Sequence, residues 1–465
     1  MNAEEPELWQ LTAVELAAAY RTNRFTPVDA LEATLARLRR LNPICNAVVT
    51  LDAIGAGTEA EASTQRWREG APLSALDGVP VTIKDNILVR AMRSTWGSAL
   101  YADFVPPADE LPVERLRRAG AILLGKTNVP EFTLHGYTDN AQFGPTRNPW
   151  DLALTPGGSS GGAVTAVACG IGPIALATDG GGSIRRPCGY TGLVGFKPSR
   201  GVVRRSGGFP RILGEFEVVG PIARTVDDVI VAMRAIGHGE WEKILRAPIE
   251  PLPRQRIIFA PTFGDAPVDP VIADAVAALA GEFARQGHEV TTNKGFSLAE
   301  RMHAIWPVIS SVGLARLVSQ SENALAVIGP LAKEVVLRGS EYKALDYVGA
   351  LEAIDELDNA FAALFDEYDF LLTPTAAAMP WAVGQPYPDT IGGREVGPRG
   401  HAVFTPVANA IGLPAISLPC PVAENQLPIG FQLCAARGRD PGLLQFARNF
   451  MARKAYRYRW PPIGR

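Results

Sequence analysis

The spacing of apolar and polar positions divides the chain into a short opening of helical period and a longer run in which strand and helix patterns alternate. Thr12-Ala13-Val14-Glu15 has the form of a capping box, with Thr placed to accept the third amide of a helix and Glu to reach back to the cap. Thr26-Pro27 sets a cap residue before a Pro at the first helical position. Leu31, Leu35, Leu38 and Leu41 follow at spacings of four and three, one apolar stripe of a helix. Residues 1–70 are therefore expected to form a helical layer packed on the main body. From Gly78 the period changes. Val79-Pro80-Val81-Thr82-Ile83 reads as a short strand ending at Lys84, residues 110–119 as a helix and residues 121–124 as the next strand. Residues 163–169 suggest a short buried helix, and residues 174–178 a buried strand running into Asp179-Gly180-Gly181-Gly182-Ser183. Thr225 caps a helix through Ala235, residues 273–286 form a helix leading to a strand near Glu289, and Phe370-Leu371-Leu372 is a further strand. This alternation argues for an α/β fold, a mixed or parallel sheet covered on both faces by helices.

Composition narrows the function classes. Against 48 Asp and Glu stand 45 Lys and Arg, a net charge of −3 over 465 residues, which excludes a basic nucleic-acid footprint. With 47% apolar residues the chain can bury large cores, so disorder is excluded; length alone allows about three domains or one large α/β domain. Two stretches, 152–178 and 402–423, carry no charge, but the glycine run with Pro156 and Pro173, and Pro406, Pro414, Pro419 and Pro421, make them buried core rather than membrane spans. The acidic opening Met1-Asn2-Ala3-Glu4-Glu5-Pro6-Glu7 is unlike a secretory signal. Five scattered cysteines (Cys45, Cys169, Cys188, Cys420, Cys434), with no C-x-x-C pair, suit a reduced cytoplasmic thiol set rather than disulfides or zinc. Residues 380–400 hold nine Gly or Pro, with Trp381 and Tyr387 among them, and are expected to form a lid or pocket wall.

The chemistry concentrates in Lys84, in the run Gly157-Gly158-Ser159-Ser160-Gly161-Gly162, and in Asp179-Gly180-Gly181-Gly182-Ser183. Both glycine runs sit in apolar, uncharged sequence, whereas a linker is normally flanked by polar residues. Glycines before a serine let backbone amides turn inward and converge on a developing oxyanion, where one lost donor costs about 3–4 kcal/mol. Phosphate cradling is the competing use, but neither G-x-x-x-x-G-K-[ST] nor G-x-G-x-x-G is present.

Here a resemblance becomes specific. The two runs, the second continuing Ile184-Arg185-Arg186-Pro187-Cys188, resemble the signature of the amidase signature family. Gly78 to Asn86, Gly125-Lys126-Thr127-Asn128-Val129-Pro130-Glu131-Phe132, Arg147-Asn148-Pro149-Trp150, Gly195-Phe196-Lys197-Pro198, Gly412-Leu413-Pro414-Ala415-Ile416 and Leu427-Pro428-Ile429-Gly430 are similar to it too. The likeness spans most of the chain and thins between about 240 and 365. It implies one α/β/α domain around a large mixed sheet, here residues 71–465 with the 380–400 loop. It also implies a Ser-Ser-Lys triad: Ser183 as nucleophile, Ser159 after a cis peptide bond as the bridging serine, Lys84 as base, and the amides of Gly180, Gly181, Gly182 and Ser183 as oxyanion hole. Lys84 can serve as a base only when neutral, so its pKa must fall from roughly 10.4 towards 7, which burial can supply. Asp85, next in the strand, should face the other way and be structural.

The implied activity is hydrolysis of a neutral amide, aryl amide or carbamate, with no cofactor, no metal, and no nucleic-acid or membrane partner; a homodimer is allowed. Tyr137, Gly158, Trp381 and Phe404 are expected around the substrate. Two alternatives stand beside this reading. Gly157-Gly158-Ser159-Ser160-Gly161 fits the G-x-S-x-G nucleophile elbow, which would make Ser159 the attacker, but no strand pattern precedes it. The glutaminase subunit of a partner-dependent tRNA amidotransferase belongs to the same family. His401-Ala402-Val403-Phe404-Thr405-Pro406, however, lacks the acidic and tyrosine-bearing approach expected there.

Overall fold

The computed structural model describes residues 6–249, 253–423, 425–454 and 456–464; the acidic opening, residues 1–5, lies outside them. Its frame is one mixed sheet. In chain order the strands are β1 (Val48–Leu51), β2 (Pro80–Lys84), β3 (Ile122–Thr127), β4 (Ile174–Asp179), β5 (Val194–Lys197), β6 (Val218–Ala223), β7 (Arg256–Phe259), β8 (Glu289–Thr292), β9 (Phe370–Pro374), β10 (Thr390–Ile391), β11 (Arg394–Glu395), β12 (Ala415–Pro419) and β13 (Gly430–Cys434). Eleven of them pair in the order β1-β3-β2-β4-β6-β5-β12-β13-β9-β7-β8, and β10 and β11 form a separate hairpin. β2 runs parallel to β3 and β4, and β7 to β8 and β9, while the centre of the sheet is antiparallel.

Both faces are covered. In β4, Ile174 and Leu176 join Val81, Ile83 and Leu123 against the helices Leu111–Arg118 and Val226–Ile236, while Ala175 and Ala177 meet the helix Gly161–Ala168 on the other side. Successive side chains of a strand point to opposite faces, so a strand buried on both reads as an unbroken apolar run. The uncharged stretch before Asp179 is such a run. At the far end of the sheet the helices Met302–Val318, Pro330–Glu341 and Ala344–Glu367 cover β7, β9 and β13 through Ile258, Leu371 and Cys434. Among the described residues no helix is long and apolar enough to cross a membrane.

The two N-terminal caps form as their residues dictate: Thr12 accepts from the Glu15 amide and Thr26 from the Asp29 amide, with Pro27 at the first helical position. The opening is not all helical. Val48–Leu51 forms an edge strand antiparallel to β3, so residues 1–70 contribute to the sheet as well as to a layer over it. Val48-Val49-Thr50-Leu51 is too short to show a period, and only its neighbour β3 decides its conformation. The 380–400 segment is not irregular throughout. Gly392 and Gly393, at φ +56° and +78°, make the tight turn between β10 and β11, the left-handed pair that a two-residue hairpin requires.

Candidate active site

Lys84 ends β2, a strand buried along its whole length, and its Nζ reaches across to the neighbouring parallel strand β4. It lies 2.8 Å from Ser159 Oγ, 2.9 Å from Thr178 Oγ1 and 3.1 Å from the Thr178 carbonyl. Burial disfavours the ammonium and is the largest influence on this group; Glu217 and Asp179 pull the other way, Arg205 and Arg186 assist, and the pKa falls to about 7. Glu217, the strongest of the opposing influences, is itself paired with Arg205. Asp85 turns away, as the alternation of the strand requires. It accepts from the Thr95 amide at 2.9 Å and the Thr95 hydroxyl at 2.6 Å and sits 3.3 Å from Lys126 Nζ.

Ser159 follows a cis peptide bond from Gly158. The loop that carries it is packed rather than flexible: a Cβ on Gly158 would collide with the backbone of Tyr137. Ser160 precedes the helix Gly161–Ala168 and donates to the Thr178 carbonyl at 3.4 Å.

Asp179, the last residue of β4, organises the turn that follows. Its carboxylate accepts from the amides of Gly182 (2.7 Å), Ile184 (3.1 Å) and Arg185 (3.3 Å) and from Arg185 Nε (3.0 Å) and Nη2 (2.8 Å). Burial pushes this carboxyl up, but the Arg185 guanidinium, with Lys197 and Asn409, holds it well below the usual carboxylate range. Asn409 also donates to the Asp179 carbonyl at 2.7 Å. The Gly182 amide, one of the four expected oxyanion donors, is thus bonded to Asp179. Gly182 has φ +107°, and a Cβ there would strike Thr405 Oγ1 and Arg186 Nη1. Arg186 ties the two glycine loops together, donating to the carbonyl of Gly181 and, at 3.4 Å, to that of Gly158. Ser183 is 7% exposed, whereas Ser159 and Lys84 are sealed.

Sequence reasoning missed Thr178, Thr405, Asn409 and Trp306, whose roles depend on chain segments far apart. A Cβ on Gly181 would stand 2.5 Å from the Trp306 ring. Trp306 borders two adjoining cavities of about 490 and 420 Å³, which also share Pro307, Arg338, Pro398 and Arg399. The 380–400 loop does supply their outer wall, through Pro386, Tyr387, Val396 and Pro398. Of the residues expected around the substrate, Tyr137 and Gly158 touch each other beside Ser159, and none of Tyr137, Gly158, Trp381 and Phe404 lines either cavity. The last two stand one layer behind the wall: Trp381 packs on His401 and Phe404 on Phe263, with ring centroids 4.8 and 5.1 Å apart. Large aromatic side chains next to a motif are more often core, because so much area is removed from water there.

Comparison with known proteins decides the family. The family model described as Amidase matches residues 29–444. The chain is a member of the amidase family. Among curated relatives it is 32% identical to an acylamidase of Rhodococcus erythropolis, covering 96% of each chain. It is also 32% identical to a glutamyl-tRNA(Gln) amidotransferase subunit of Moorella thermoacetica, over 98% of this chain and 99% of that one. Among solved structures it superposes on a bacterial aryl acylamidase of the amidase signature enzymes with TM-score 0.87 at 26% identity, covering 95% and 96% of the two chains. A 6-aminohexanoate cyclic dimer hydrolase complexed with substrate gives TM-score 0.88 at 26% identity, over 99% and 100%. This amidase is thus a C–N hydrolase acting on amides, and its large mixed sheet is the fold of those neighbours. The elbow alternative lacks its geometry. Between β3 and Gly157 the described residues form no strand beyond isolated bridges (Asn148 with Asp151, Leu154 with Ala382), and the group bonded to Ser159 Oγ is the Lys84 amine.

Proposed function

We propose that Ser183 attacks the carbonyl of a small-molecule amide and that Ser159 and Lys84 relay its proton. The observation that carries this is the buried Lys84 amine, 2.8 Å from Ser159 Oγ and with its pKa brought to about 7. A neutral amine has two N–H groups and one lone pair. With the N–H groups directed to the Thr178 carbonyl and hydroxyl, the lone pair is left for the Ser159 proton. Ser159 then takes the proton of Ser183 as the Ser183 oxygen bonds to the carbonyl carbon. The amides of Gly180, Gly181 and Ser183 would receive the oxyanion. Collapse breaks the C–N bond, the relay reverses to protonate the leaving amine, and water repeats the cycle on the acyl-enzyme.

Cavities of about 420 and 490 Å³ walled by Trp306, Tyr387 and Phe263 suit an aryl or similarly bulky amide. A carbamate offers the same carbonyl and the same aniline. We infer a cytoplasmic enzyme, in keeping with five free, buried cysteines. Aniline release by the purified chain from matched aryl amide and aryl carbamate tests the reading, with Ser183→Ala as control. Turnover lost in that variant supports it; the ratio of the two rates names the substrate class. The likeness to the tRNA amidotransferase component favours one second reading, a glutaminase that works in a complex. Glutamine hydrolysis without aniline release would favour it.

A further inference from the structure

We propose that the cavity beside the Asp179 turn is a carboxylate-recognising subsite, in which Arg399 and His401 take the acid group of an amide whose hydrocarbon body lies on Trp306. The inference rests on the Ser183 reading for the reaction and adds the class of substrate.

Arg399 stacks its guanidinium 4.1 Å over the Trp306 ring. Stacking occupies a face of the guanidinium and leaves its N–H edge, which matches a carboxylate. Arg399 Nη2 is buried and has no hydrogen-bond partner among the described residues. His401 is 2% exposed, and neither ring nitrogen has a partner among them. Gly136 admits this ring, since a Cβ there would overlap Nε2, and Trp381 packs against it. Two unsatisfied polar groups therefore line one cavity of about 420 Å³, together with Leu134, Pro307 and Val335. Orphaned buried donors are costly, and a ligand oxyanion between them would satisfy both.

The surrounding charge favours an anion. Burial first, and then the nearby Arg186, bring the Arg399 pKa down to about 9. A carboxylate within reach would have raised it. Burial, Arg186 and Arg399 hold His401 well below its ordinary value, so it is neutral and keeps one N–H to donate. Arg338 lines both cavities. Glu334 is the one carboxylate among the residues lining this cavity. Asp265 and Glu300 line its neighbour, where Asp265 is paired with Arg394 at 3.3 Å. The net charge of −3 for the whole chain does not report the local field beside Trp306.

Calorimetry on the full chain carrying Ser183→Ala tests binding apart from turnover. Glutaryl-4-nitroanilide and 4-acetamidobenzoate place the acid on either side of the amide, and each is compared with its methyl ester. We expect one acid to bind at least tenfold more tightly than its ester, and Arg399→Met to reduce that ratio below twofold, with Arg399→Lys restoring part of it. In the enzyme with Ser183 intact the same preference should appear in kcat/KM, mainly through KM. Should Arg399→Met fail to fold, competitive inhibition of the unaltered enzyme by the free acid, with no inhibition by the ester, supports the subsite. Equal binding of acid and ester, or a preference that survives Arg399→Met, overturns it. Turnover that persists in Ser183→Ala counts against the nucleophile alone, because the binding ratios still decide the subsite.

Discussion

Arg185 lays Nε and Nη2 against the two carboxylate oxygens of Asp179, at 3.0 and 2.8 Å, with both side chains fully buried. The pair holds the turn between β4 and the helix Arg185–Thr191, and Ser183 sits in that turn. Arg185 is fixed in its own right by Gln432 and Asn409, both at 2.6 Å, so the turn is anchored to the C-terminal third of the chain. Asp179→Asn would leave Arg185 as an uncompensated buried charge, at a cost of about 3–5 kcal/mol. Urea unfolding should show that loss together with a fall in kcat. A variant of unchanged midpoint would mean that Asp179 does not organise the turn.

Lys84→Arg should abolish turnover, because guanidinium cannot deprotonate. In the unaltered enzyme kcat/KM should rise with pH through about 7 and level off above it, since the neutral amine is the active form. A rate that falls over this range would remove lysine from the role of base.

The same residue has a stability signature of defined sign. Lys84 binds a proton less readily folded than unfolded, so its burial penalty is full below about pH 7 and fades as pH rises towards the unfolded value. Lys84→Met should therefore be inactive yet gain more stability, relative to the parent, at pH 6 than at pH 9. The expected difference is about 2–3 kcal/mol. Chemical denaturation at the two pH values measures it, and an equal effect at both would mean that the lysine is not held neutral.

A sulfonyl fluoride should label Ser183, the more exposed of the two serines, and mass mapping would locate the adduct. Modification at Ser159 in place of Ser183 would revive the nucleophile elbow.

Gly182→Ala should reduce kcat/KM at least a hundredfold. The backbone there is left-handed, and the added methyl would press on Thr405 and Arg186, displacing the Gly181 carbonyl that both hold. The strain should also lower stability by about 1–3 kcal/mol. A crystal structure of the variant with the turn unmoved and activity intact would contradict this assignment.

Much of this was readable along the chain. Caps at Thr12, Thr26 and Thr225 are local, because a helix start is decided by a residue and the one three positions on. Lys84, Ser159, Asp179 and Ser183 stand in long motifs whose residues lie near one another in sequence. The edge strand Val48–Leu51 and the cover supplied by Met302–Val318 were not readable, since each takes its place from a distant partner. Trp381 and Phe404 sit in loops near the motifs, and their packing on His401 and Phe263 depends on burial, which sequence does not record.

By itself the sequence determined an α/β fold and the family, because those depend on local period and contiguous motifs. Only the tertiary structure decided that Lys84 is sealed beside Thr178, that the Gly182 amide is bonded to Asp179, and that Arg399 and His401 line one cavity with Trp306. Each of these is a matter of desolvation or of an orphaned donor, and both arise only when segments far apart in the chain are packed together.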